Sequence, residues 1–133
     1  MKSIMTFLVL ALFISCNPQS NELQSEIQTI DMERVAFACD CADWVRLNDF
    51  SKPNYADSAI FIEPADSTLN LADTLGYSMD IIRFTGQFYI HQGFPKGYHS
   101  IESPDKARVF RYIKFKVIKS NYRESQQLHE KND

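Results

Sequence analysis

The stretch Asp80-Ile81-Ile82-Arg83-Phe84-Thr85-Gly86-Gln87-Phe88-Tyr89-Ile90-His91-Gln92 decides the fold class. Its even positions Ile82, Phe84, Phe88 and Ile90 are apolar, with Gly86 in their midst. Arg83, Thr85, Gln87, Tyr89 and His91 alternate with them. A period of two sends successive side chains to opposite faces, so this is a strand with one buried and one wet face. Gly86 in the middle of the buried row predicts a bulge or sharp coil, a device that curls a sheet into a small barrel.

Working outward, Arg108 to Lys119 reads as a second long strand. Val109, Ile113, Phe115 and Val117 lie on one face, and Phe110, Tyr112, Lys114 and Lys116 on the other. Arg111 falls on the apolar side, so either the register breaks there or the arginine is paired. Val35, Phe37, Cys39 and Cys41 alternate with Ala36, Ala38 and Asp40, which predicts another strand. Ala59-Ile60-Phe61-Ile62 is a short run that stops at Glu63-Pro64, where proline removes a ladder donor. Residues 66–75 fit either a short helix capped by Asp or Ser, or an extended loop. Residues 22–33 add a strand or a helical turn, and Gly93 to Ser100 is loop chemistry. The sum is a mainly β chain: one small antiparallel barrel or a two-layer sheet.

Arg83-Phe84-Thr85-Gly86-Gln87-Phe88-Tyr89 resembles strands of the OB-fold class, which carry a mid-strand glycine. The resemblance implies an OB-like barrel in preference to an open sheet.

The chain opens with Met1-Lys2-Ser3 and an apolar run from Ile4 to Ile14, followed by Ser15 and Cys16. A positive start, a short apolar stretch and a small residue mark a secretory signal. The run is too short for a span, which needs about 20 apolar residues. Phe13-Ile14-Ser15-Cys16 resembles the lipobox of bacterial lipoproteins, although Phe13 stands where that family usually has Leu. The resemblance implies cleavage before Cys16, a diacylglyceryl group on its sulfur, palmitate-like acylation, and anchoring in a lipid bilayer of the cell envelope. Two acyl chains hold a protein stably on a membrane where one is marginal. Asn17 differs from the Asp that resembles an inner-membrane retention signal, which points to the outer membrane. The expected organisation is therefore a signal peptide over 1–15 and a lipidated, polar tether over 16–32. A β domain follows over 33–120, with a flexible polar tail over 121–133.

Ten Phe and six Tyr argue for a folded body rather than a disordered one. Net charge is −3, but it is unevenly spread. Residues 17–80 hold twelve acidic and three basic side chains, a net −9; residues 81–119 hold eight basic and two acidic, a net +6. Acidic early strands pairing with basic late ones account for this more simply than a polyanion-binding face. No nucleic-acid motif is present, so nucleic acid is not an expected partner.

Cys39-Asp40-Cys41 is the compact constellation of reactive groups. With Cys16 used for lipid, the remaining pair is even. Residues i and i+2 of a flat strand lie nearly 7 Å apart, so a Cys-x-Cys disulfide needs the chain to bend at Asp40. The alternatives are two buried, inert thiols, or a site for Zn or Cu in which His91 or His99 joins Cys39 and Cys41. Asp40 and Asp43 raise thiol pKa values and work against a reactive thiolate. The sequence lacks a Gly-x-Ser-x-Gly elbow, a Gly-rich phosphate loop and a His-Glu-x-x-His stretch, and catalysis is not the expected role. Trp44, Tyr89, Phe94, Lys96 and Tyr98 form a candidate binding surface for an envelope protein or polysaccharide. The expected function is a non-catalytic binding or assembly module without a cofactor. The alternative is a thiol- or metal-handling lipoprotein using Cys39 and Cys41.

Overall fold

A computed structural model describes residues 22–72, 75–76 and 80–119. Five strands follow in chain order: β1 (Gln28–Arg34), β2 (Trp44–Arg46), β3 (Phe61–Pro64), β4 (Ile81–Phe88) and β5 (Val109–Lys119). Short 3-10 turns occupy Leu47–Asp49, Tyr55–Ser58 and Ser67–Leu69. The last is capped by Asp66, whose carboxylate accepts from the Thr68 N–H at 2.8 Å; of the two readings of 66–75, the Asp cap is present but the helical part is a single turn that ends at Leu69. Cys16, the apolar leader and the 121–133 tail lie outside the described residues. Among the described residues no helix is long and apolar enough to cross a membrane.

The strands form one curled sheet in the order β2-β1-β4-β5-β3. The β2–β1, β1–β4 and β4–β5 ladders are antiparallel. The β3–β5 ladder is parallel, because four antiparallel steps through β4, β1 and β2 leave β3 and β5 running the same way. The outer strands meet at a single bridge, where the Trp44 N–H donates to Ile60 O at 3.2 Å and the Ile60 N–H to Trp44 O at 2.7 Å. Read through that bridge, β4-β1-β2-β3 is the spatial order of a Greek key. The result is a half-barrel whose seam is stitched at one point.

Gly86 does what its place in the buried row predicts. Thr85 pairs with Lys114 while Gly86 pairs with Tyr112, leaving Ile113 as the extra residue of a bulge. A Cβ on Gly86 would lie 2.0 Å from the Arg111 carbonyl oxygen, so only glycine lets the two backbones approach. The bulge also resolves the anomaly at Arg111. Before it, Phe110 and Tyr112 point inward and Arg111 outward; after it, Phe115 and Val117 take the inward side. The register break offered as one reading of Arg111 is therefore present, and the face assignments of two residues change: Ile113 is 50% exposed, and Tyr112 is core. β4 ends at Phe88, and Ile90 is 46% exposed rather than buried.

Two further expectations change. The alternation from Val35 to Cys41 is a loop, not a strand. The Cα atoms of Cys39 and Cys41 are 5.3 Å apart, less than the roughly 6.6 Å of two extended residues, so the chain bends at Asp40 and leaves the ladder. Of the two readings of residues 22–33 the strand holds, so the sheet begins ahead of residue 33, where the β domain was expected to start. β1 buries Met32 and half-buries Ile30 on one side while Thr29, Asp31 and Glu33 take the other. Ahead of it, Leu23 bridges Tyr89, and the Gln24 N–H donates to Phe88 O at 2.8 Å. Polar side chains misled here because one face of β1 is wet.

Two apolar clusters result. The inner one fills the barrel with Met32, Trp44, Ile60, Ile82, Phe84, Phe88, Phe110 and Tyr112. Trp44 meets Phe84 edge-on with centroids 5.1 Å apart. The outer one, built on Ala42, Val45, Ala59, Phe61 and Val109, lies where loops cover the β2, β3 and β5 end of the sheet. Expected charge pairing across strands is present. Arg83 on β4 donates twice to Asp31 on β1, at 2.7 and 2.8 Å, and Arg111 on β5 lies 3.8 Å from Glu63 on β3.

Candidate binding groove

The geometry follows from the single stitch between β2 and β3. Were that antiparallel ladder to continue past Trp44 and Ile60, Ala42 would face Ile62 and Asp40 would face Pro64. The bend at Cys39–Cys41 carries the chain away instead. A groove of about 640 Å³ opens in the gap, within the ~300–1,000 Å³ usual for ligand sites. One wall is the 35–43 loop, with Phe37, Cys39 and Cys41. The opposite side is Ile62 and Pro64 of β3, with Leu71 and Leu75 beyond, and Tyr98 and His99 close one end.

Two devices hold the loop wall. Arg34 Nε donates to Asp43 Oδ2 at 2.7 Å, and the guanidinium lies 6.0 Å from the centroid of the Trp44 ring. Burial pushes the Asp43 carboxyl above its usual value, and Arg34 offsets part of that rise. Beneath them Gly76, with φ of +91°, lets its backbone pass under Trp44 and accept from the Arg34 N–H at 3.2 Å. The second device converges on Asp40. The Tyr98 hydroxyl donates to Asp40 O, Ser100 Oγ donates to Asp40 Oδ2 at 3.0 Å, and the Asp40 N–H donates to Glu102 Oε2 at 3.0 Å. The residue between the two cysteines is thus latched to the 98–102 loop through its N–H, its carbonyl and its side chain.

The neighbouring polar centre is Glu63, only 6% exposed. It accepts from the Tyr89 hydroxyl at 2.6 Å and the Lys96 N–H at 2.8 Å. Burial, with Glu63 beside it, pushes the Tyr89 hydroxyl up to about 12. These contacts tie the 93–100 loop to β3.

The candidate surface residues do not share one exposed face. Trp44 is 3% exposed and belongs to the inner core, which removes it from that surface; a large ring at the barrel seam is core before it is contact. Tyr89 is half-buried against Glu63. Phe94 and Tyr98 stack on each other at 5.0 Å and both pack on Phe61, covering the outer cluster. Lys96 is exposed, and its backbone does the fixing.

Cys39 and Cys41 have their sulfurs in close contact, the arrangement a disulfide requires. His99 reaches the same groove, whereas His91 is exposed and does not line it. Among the described residues no three His, Cys, Asp or Glu side chains are placed to hold a metal ion. Sequence reasoning passed over the Arg34–Asp43 pair, the buried Glu63 and the β3 edge. Glu63 carried a usable signal, as an acid set between Ile62 and Pro64 in a strand.

Comparison with protein-family models, with curated proteins and with solved structures finds no match to this chain.

Proposed function

We propose that this chain is a lipid-anchored protein of the bacterial cell envelope, held through Cys16 at the outer membrane. Its β domain acts as a non-catalytic binding or assembly module. The observation that carries the reading is the groove at the broken β2–β3 seam. It joins aromatic and aliphatic walls to one ion pair, the mixture found in ligand sites. The Greek-key order and the bulge at Gly86 support the OB-class resemblance. In that class the face of strands 2 and 3, with the loops after strands 1 and 4, takes the ligand. Here the corresponding parts are β2, β3, the 35–43 loop and the loop bearing Tyr98 and His99. An envelope protein or polysaccharide is the proposed partner class.

Anchor and groove are tested separately. Cys16→Ala moves the protein from the membrane to the soluble fraction of a bacterial host; unchanged fractionation rejects the anchor. A photo-crosslinking residue at Leu71, compared with one at exposed Lys116, captures a discrete envelope partner from position 71 alone. Equal capture from both positions, or capture from neither, rejects the groove as the site.

A further inference from the structure

β3 carries an unused backbone edge. The Phe61 N–H donates to Arg108 O at 2.9 Å and the Ala65 N–H to Tyr112 O at 2.9 Å, so odd-numbered residues face β5. Even-numbered residues face the other way, as the Ile60–Trp44 bridge confirms. Ile62 therefore turns its N–H and C=O into the groove, and neither has a backbone partner among the described residues. Pro64 follows, a residue found on the open edges of sheets. A small apolar ligand leaves such an edge unsatisfied and sugar hydroxyls meet it without a fixed repeat, whereas an added strand satisfies it as the missing ladder would. The groove lining carries two carboxylates, Asp40 and Asp43, against the Arg34 guanidinium that is bonded to Asp43, which leaves one negative charge in excess at Asp40. That balance favours a cationic side chain on the occupant.

We propose that the groove takes an extended polypeptide segment bearing Lys or Arg, which adds to β3 at Ile62 and completes the seam that the Cys39–Cys41 bend leaves open. This rests on the groove being the ligand site, and it names the ligand class. Main-chain hydrogen bonds supply the register. Alternate side chains then enter the apolar floor at Leu71 and Leu75 or turn toward the carboxylate wall.

The test pans a phage-displayed random dodecapeptide library against the full chain in detergent micelles, with chitohexaose as a separate probe. Enriched sequences alternate apolar and polar positions and contain Lys or Arg. A synthetic copy of an enriched peptide slows amide exchange at Ile62. N-methylating its odd residues or its even residues gives unequal outcomes: one set loses about tenfold in affinity and the other is nearly unchanged. Ile62→Pro, which deletes the groove-facing donor together with a side chain packed on the inner cluster, reproduces the loss in protein whose urea midpoint shows that it remains folded. Equal tolerance of both N-methyl sets, enriched peptides lacking basic residues, or no enrichment overturns the proposal. Chitohexaose binding in the groove without peptide binding leaves the module standing and removes the strand; binding of neither probe removes both.

Discussion

The two apolar clusters are built on different principles. The inner one is strand against strand, with Phe84, Phe88, Phe110 and Tyr112 fully enclosed and held by regular ladders. The outer one has a small buried base and a cover of loop residues, including Phe37, Phe94 and Tyr98, each only part-buried. Its order depends on side-chain bonds that span the fold, such as Tyr98 to Asp40 and Tyr89 to Glu63. The inner cluster therefore sets global stability, and the outer cluster sets the shape of the groove that lies against it.

Truncating each cluster tests that division most severely. Phe84→Ala leaves a cavity that three rings surround, Trp44, Tyr112 and Phe115, and ladders prevent its collapse. The expected loss is at the upper end of the ~3–5 kcal/mol range for such truncations. Phe61→Ala removes a similar volume, but the Phe94 and Tyr98 loop can settle into it, so the loss is about 3 kcal/mol or less. Urea midpoints at constant slope decide the matter. Equal losses would break the contrast between the clusters.

Gly86→Ala comes next, because it pushes a methyl group into the Arg111 carbonyl and the Tyr112 Cα, 2.0 and 2.7 Å from the new Cβ. Backbone must move, at a cost of about 3 kcal/mol. The penalty falls on the β4–β5 bulge, which serves the inner cluster. Heteronuclear NMR of the variant shifts β4 and β5 amides and leaves the 93–100 loop nearly unmoved. A change spread evenly over both regions would show that they are one cooperative unit.

The outer cluster has a gentler test. Tyr98→Phe keeps the stack on Phe94 and deletes the bond to Asp40 O. The expected global loss is about 1 kcal/mol. Amide exchange of residues 37–41 rises more than that loss accounts for, since the Asp40 latch is local. No excess exchange there would mean that the cysteines, the Arg34–Asp43 pair and the Ser100 and Glu102 bonds to Asp40 hold the loop without the Tyr98 hydroxyl.

What the sequence made legible tracks the same division. The Ile82–Phe88 row and its glycine carry period-two information that survives into the structure, because a half-wet strand must alternate. The same rule failed for Val35 to Cys41, where alternation is accidental and a local bend overrides it. It failed again at β5, where one bulge residue exchanges the faces and turned Tyr112 from surface to core. β1 stayed ambiguous because its polar face outweighs Ile30 and Met32. Of the groove, the cysteines, Trp44, Tyr98 and His99 stood out in the sequence, each for a different reason and none as parts of one site. Its other parts come from loops far apart in sequence, and an unpaired edge at Ile62 has no signature in side-chain order.

The smallest effect is a titration that reports on both clusters. Tyr112 lies in the inner core and its hydroxyl, donating to Leu69 O at 2.7 Å, is pushed up to about 12 by burial. Tyr89, at the outer cluster, is raised to about 12 by burial and by Glu63. A folded-state value above the ordinary 10 means that the neutral hydroxyl is favoured by folding. That stability is fully present below pH 10, and is lost as pH rises from there through about 12. Unfolding midpoints measured from pH 8 to 11.5 fall at the alkaline end in the parent chain. Tyr89→Phe removes part of that fall while leaving the neutral-pH midpoint lower by the lost bond to Glu63. An identical alkaline slope in parent and variant would show that Tyr89 contributes nothing to it, leaving Tyr112 in the inner barrel as the raised hydroxyl at work.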